Sequence, residues 1–219
     1  VRKLLVVLLA FAPELLAQER KVAPTWLYRD VSALHERTVD LSGGGCHYLP
    51  IFGEGDRDSG VPQSVARFGE LRVDANGACP TVEYPHQEEL YFVRGGNGVL
   101  RFGEESHPLA PNDFTYLPPA VRHSVSNPGT QSLKLIVATV KIPGETPISQ
   151  PAKLEVANLE ALKEQKVGGH PSSVQYKLLI GPRNTKRDRI SAAYAVADFF
   201  LMDFAPGGTN LPHHHETAE

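Results

Sequence analysis

Pro85-His86-Gln87-Glu88-Glu89-Leu90-Tyr91-Phe92-Val93-Arg94-Gly95-Gly96-Asn97-Gly98 decides how the chain is read. A carboxylate pair leads into an alternating apolar run, which places Leu90, Phe92 and Arg94 on one face of a strand and Tyr91 and Val93 on the other. Asn97-Gly98 is a hairpin signal, and Val99-Leu100-Arg101-Phe102 reads as the return strand. Working outward, Pro108 to Asn112 reads as a turn and Phe114 to Leu117 as a strand. Pro118-Pro119 ends that strand and puts His123 at the start of the next. Leu133 to Val140 is an apolar run of buried-strand length that closes the set. Upstream, His47 to Phe52 is a strand carrying a proline, hence an edge or a bulge, and Ala66 to Val73 is another. Short strands punctuated this often by Gly and Pro predict a small antiparallel barrel.

The same stretch resembles the two motifs of the cupin superfamily. Gly77, Glu89 and Gly96 fall in register with the first motif, while its two histidine positions hold Glu83 and Pro85. Pro118, His123 and Asn127 match the second, and Asn112 and Ala120 stand where it has glycines. The resemblance implies an all-β fold, an antiparallel double-stranded β-helix (the cupin or jelly-roll barrel). It also implies a metal site, of which Glu83, Glu89 and His123 occupy three of four positions. Glutamate as a hard oxygen ligand favours manganese or iron over copper. Pro85 cannot ligate, and His86 would need a bulge to reach the lumen. The alternative is a barrel that has lost its metal, with Glu89 and His123 simply hydrogen-bonded.

Further along, Pro143 to Pro151 is a composition break that reads as a linker. Leu154 to Lys166 has helical apolar spacing and is stopped by Gly168-Gly169 and Pro171. Val174 to Ile180 and Ala192 to Phe204 read as strands flanking the basic turn Arg183 to Arg187. The C-terminal Gly207, followed by five residues, His213-x-His215, three residues and Glu219, resembles the first cupin motif without substitution. Residues two apart on a strand share a face, so His213 and His215 can both aim into a lumen. With Glu219 and a histidine from a later strand they would form the family's three-nitrogen, one-oxygen set for a divalent transition metal, manganese or iron. Three histidines near a terminus also invite a purification-tag reading, against which Glu219 falls in motif register. The chain therefore reads as an internal duplication: 1–17 signal peptide, 18–30 linker, 31–143 first cupin barrel, 144–153 linker and 154–219 the first strands of a second barrel, incomplete as it stands.

A formal net charge of −3 and the absence of a basic run argue against a nucleic-acid partner. Arg2-Lys3 ahead of the apolar run Leu4 to Ala12 has the layout of a secretory signal and is too short to span a membrane comfortably. A buried N-terminal helix or a retained anchor is the alternative. Export, to a periplasm or outside the cell, would leave no membrane association after cleavage and would let Cys46 and Cys79 pair; isolated buried thiols are the other reading. From the resemblance, the expected function is a metal-dependent bicupin enzyme of dioxygenase or decarboxylase type acting on a small organic acid or phenolic compound. The rival is a non-catalytic cupin that binds a small ligand such as a sugar or organic acid. No individual catalytic residue stands out. Association of cupin barrels through their sheets makes a homodimer an expectation of the same kind.

Overall fold

The computed structural model describes residues 27–53, 55–56, 63–149, 153–166 and 168–211. Twelve strands carry almost all of the regular structure, and the described helical turns are two short 3₁₀ segments, Val31–Ala33 and Leu159–Ala161. The strands are β1 (Cys46–Gly53), β2 (Val65–Val73), β3 (Gln87–Gly95), β4 (Gly98–Phe102), β5 (Glu105–Leu109), β6 (Asp113–Leu117), β7 (His123–Ser126), β8 (Leu133–Lys141), β9 (Val156–Asn158), β10 (Val174–Pro182), β11 (Ile190–Ala193) and β12 (Phe199–Phe204).

Six of them form an antiparallel sheet in the order β1-β2-β8-β3-β6-β9, and a second sheet, β5-β4-β7, faces it. Leu71, Val73, Tyr91, Val93, Leu100, Leu117, Val125, Leu133, Leu135 and Val137 fill the space between the two sheets and make the barrel core. Alternation along β8 sends Leu133, Leu135, Val137 and Thr139 inward, while Ala138 joins a different cluster on the outer face. Pro50 lies on the edge strand at a register shift between Pro50 and Phe52, where a missing N–H costs nothing. Cys46 and Cys79 form a disulfide with Cα atoms 5.3 Å apart, tying the start of β1 to the segment that runs beside β7.

β10 pairs antiparallel with β12 and, over three residues, parallel with β11. This three-stranded sheet packs on the outer face of the barrel. Leu90, Phe114, Tyr116 and Ala138 meet Leu179, Ile180, Ile190 and Ala193 there. The central sheet is thus buried on both faces, which explains why Glu88, Glu89, Leu90 and Tyr91 are buried in succession.

Three local expectations change. Asn97-Gly98 does not close a two-strand hairpin: β3 pairs with β6 and β8, whereas β4 pairs with β5 and β7, so the turn carries the chain from one sheet to the other. Gly96, at φ +77°, makes that corner; a Cβ there would lie 2.4 Å from the Ser132 carbonyl oxygen. The segment 154–166 is not a helix. β9 instead extends the large sheet beside β6, and Asn158 caps a single 3₁₀ turn. Free backbone groups at the sheet edge outcompete a weak helical pattern. Finally, the apolar run 192–204 is two strands rather than one. Its break at 194–198 is where backbone N–H groups turn to a buried carboxylate from β3.

Candidate functional site in the first barrel

β3 presents Glu89 to the lumen together with Tyr91 and Val93, because residues two apart share a face. His123, the first residue of β7, comes from the opposite sheet. Its Nδ1 lies 2.9 Å from the Val121 carbonyl oxygen, which can only accept, so Nδ1 carries a proton. Nε2 lies 2.6 Å from Glu89 Oε2. Neither of these two buried atoms has an aligned hydrogen bond, so the contact is a close ion contact rather than an in-line donor–acceptor pair. Glu89 Oε1 accepts from the Thr139 hydroxyl at 2.9 Å. Burial of the ring works against protonated His123, but the contact and charge of Glu89 and the Val121 carbonyl outweigh it and raise the pKa above the ordinary imidazole value. Tyr91 and Tyr84 set their rings 6.0 and 6.1 Å from the imidazole. Burial first, and then the charge of Glu89, keep both phenols protonated far into the alkaline range.

Glu83 does not join this pair. Val82 is bridged to His123 through reciprocal backbone hydrogen bonds, and residues opposite each other in an antiparallel pair point to one face. Val82 therefore faces the lumen, Glu83 is exposed, and Tyr84 turns back inward. Pro85 and His86 are exposed as well. Among the described residues, no three His, Cys, Asp or Glu side chains converge closely enough to hold a metal ion. The donors of this barrel do not fit the family's metal set: its remaining carboxylate and imidazole are turned on each other. His213, His215 and Glu219 lie outside the described residues.

Asn127 has a structural job. Its amide nitrogen donates to the carbonyls of Val73, Asp74 and Gln131, and its oxygen accepts from the Gly129 N–H. It pins the loop after β7 to the end of β2.

The barrel mouth opens into a cavity of about 450 Å³ that sequence reasoning did not anticipate. Arg67 of β2 is its fixed feature, lying over the rings of Tyr48 and Tyr84 at 5.5 and 5.6 Å. It donates to the Tyr84 hydroxyl at 3.1 Å and to Asp40 at 2.6 Å, and Tyr84 in turn donates to Asp40 at 2.6 Å. The guanidinium is thus held in one orientation by two rings and a carboxylate. Arg29, Arg37, Asp56, Gln87 and the side chain of Phe52 complete much of the wall. The signal available in the sequence was weak, since Asp40, Tyr48, Arg67 and Tyr84 are spread over four separate segments.

Comparison with known proteins agrees with this architecture. Residues 69–139 match the cupin domain family. A 77-residue stretch is 29% identical to the uncharacterized protein MJ1618 of Methanocaldococcus jannaschii, covering 35% of this chain and 59% of that protein. A 51-residue stretch is 35% identical to the mannose-1-phosphate guanylyltransferase RfbM of Salmonella typhimurium, covering 23% of this chain and 11% of that enzyme. The chain therefore spans about a tenth and about three fifths of the lengths of these two relatives. Among solved structures, the bacterial pirin YhhW of Escherichia coli, in complex with nickel(II), superimposes with a TM-score of 0.56 at 14% identity, over 78% of this chain and 69% of that one.

Proposed function

The first barrel is a cupin domain, and from that premise we propose that this chain is an exported bicupin protein whose first barrel binds a small organic ligand without a metal ion. The observation that carries the reading is the built wall of the cavity: Arg67 fixed between Tyr48 and Tyr84 at the mouth of a barrel whose acid and imidazole are committed to each other. A preorganised cavity wall suits ligand capture, because a fixed guanidinium loses little freedom when it meets a ligand. The Cys46–Cys79 disulfide supports export, since such bonds persist in oxidising compartments.

A second reading is favoured by the motif at the C-terminus. His213, His215 and Glu219 have the residue types and spacing of a first cupin motif, and the nickel-bound pirin shows that a protein of similar fold holds a transition metal. In this reading the metal chemistry of the protein, with manganese or iron, belongs to the second barrel. There the ion would supply a Lewis-acid or oxygen-activating centre.

The two assignments are separated by elemental analysis of the protein with a complete second barrel and of its His213→Ala/His215→Ala variant. Metal in the first and none in the second is the expected result. Stoichiometric metal retained by the double variant would put an ion in the first barrel and overturn the metal-free assignment.

A further inference from the structure

We propose that the ligand of the first barrel's cavity is an organic monoanion, a carboxylate on an apolar body, and that Arg37 is the residue that receives its charge. This rests on the reading of the first barrel as a ligand-binding barrel.

Charge pairing in the cavity wall singles out Arg37. Among the described lining residues there are three guanidinium groups and two carboxylates. Arg29 is engaged by Asp56, which accepts through both carboxylate oxygens at 2.9 and 3.1 Å, and it also lies over Phe52. Arg67 is engaged by Asp40 and Tyr84. Arg37 is left over. Its backbone N–H donates to the Tyr48 carbonyl, which fixes the main chain beside β1, but its guanidinium has no hydrogen-bond or ion-pair partner among the described residues. An exposed arginine is commonly no more than solvated. Arg37 differs in standing at a cavity where the other charges of the described lining residues are paired, so a single negative charge on the ligand would give it a partner.

The rest of the wall describes the rest of the ligand. Leu34, Val39, Pro50, Ile51 and Phe52 offer an apolar surface on the β1 side, and a cavity of about 450 Å³ falls within the roughly 300–1,000 Å³ range of small-molecule sites. Arg67 retains donors beyond the two it uses toward Asp40 and Tyr84, since a guanidinium carries five. Its remaining N–H groups can donate to the ligand as well. A neutral ligand of identical shape would leave Arg37 unpaired and gain only the apolar contacts.

The test is titration calorimetry on the whole chain, in the presence of a chelator, with benzoate and its neutral counterpart benzamide as probes. Benzoate is expected to bind one per chain and benzamide at least tenfold more weakly. Arg37→Gln, a change at an exposed side chain without partners among the described residues, should weaken benzoate at least tenfold while thermal unfolding stays unchanged. Arg189→Gln, in a separate hollow lined by Leu162, Gln165 and Leu178, should leave benzoate binding as in the parent. Benzoate affinity that survives Arg37→Gln overturns the proposal. Equal binding of benzoate and benzamide, lost in Tyr84→Ala, overturns the monoanion while leaving the ligand-binding barrel standing. Binding of neither overturns both.

Discussion

Glu88 and Glu89 are neighbours on β3 whose carboxylates serve opposite faces of one sheet. Glu89 turns inward to His123 and Thr139. Glu88 turns outward, wholly buried, and accepts from the Tyr116 hydroxyl at 2.8 Å and from the backbone N–H groups of Tyr194, Ala195 and Val196 at 2.7, 2.9 and 2.7 Å. Three consecutive N–H groups aimed at one carboxylate form an anion-binding concavity. Here the anion is the protein's own, and it fastens the β11–β12 connection to the first barrel across more than a hundred residues of sequence.

That fastening predicts a graded loss. Glu88→Ala takes the acceptor from three half-buried backbone donors and a buried phenol, and should cost about 3 kcal/mol or more. Glu88→Gln keeps one acceptor oxygen but turns an NH₂ group toward donors, and should cost roughly half as much. Urea unfolding reads both. Equal, small losses for the two variants would mean that the acceptor is dispensable. The β11–β12 segment should also become the first site of proteolysis in Glu88→Ala, because its turn loses the groups that fix it.

The lumen pair predicts a pH dependence of definite sign. The folded-state pKa of His123 is raised, so the pair's contribution is fully present below the ordinary imidazole value near 6.5 and is lost as pH rises through the higher folded value. The difference in melting temperature between the parent and His123→Gln should therefore be largest in mild acid and shrink above neutrality. A gap that stays constant or widens toward alkaline pH would contradict the ion contact with Glu89.

Much of the barrel is legible in the sequence because period-two burial and turn residues are local properties. β2, β3, β6 and β8 fall where alternating or continuous apolar runs predict them. Sheet membership is less so. Asn97-Gly98 specifies a turn but not which strands flank it as partners, and here the turn crosses between sheets. The site was half visible. Glu89 and His123 stand out through motif register, yet the register that put Glu83 with them fails on the local pairing of Val82 with His123. In the sequence Glu88 is only one of a carboxylate pair, because nothing there shows that both faces of a strand are covered. Asp40, Tyr48, Arg67 and Tyr84 meet only through tertiary packing.

The sheet-to-sheet corner predicts a contrast between two glycines. At Gly96 the backbone is left-handed and a Cβ would approach the Ser132 oxygen to 2.4 Å and the Leu133 Cα to 2.9 Å. At Gly103 the backbone is also left-handed, but no atom lies within 4 Å of a built Cβ. Gly103→Ala should cost about 1 kcal/mol, the conformational part alone, and Gly96→Ala at least twice that, about 2 kcal/mol or more. Denaturation midpoints of the two variants decide it. Similar losses would mean that the contact with β8 gives way without strain.

The disulfide predicts a dependence on redox conditions that reaches the lumen. Cys46 and Cys79 are 33 residues apart, so the chain-entropy model gives the bond roughly 3–4 kcal/mol. The segment it holds is also the one that forms the lumen wall: Ala78 donates to the Gly44 carbonyl, Cys79 to Val125 and Val82 to His123. Loosening it should disturb Val82 and Tyr84 before it disturbs β3 or β8, which sit at the centre of the large sheet. Dithiothreitol, or the Cys46→Ser/Cys79→Ser variant, is therefore expected to lower the unfolding midpoint and to raise amide hydrogen exchange first in the segment 74–84. An unchanged midpoint with unchanged exchange in that segment would mean that the hydrogen bonds to β7 hold the wall by themselves.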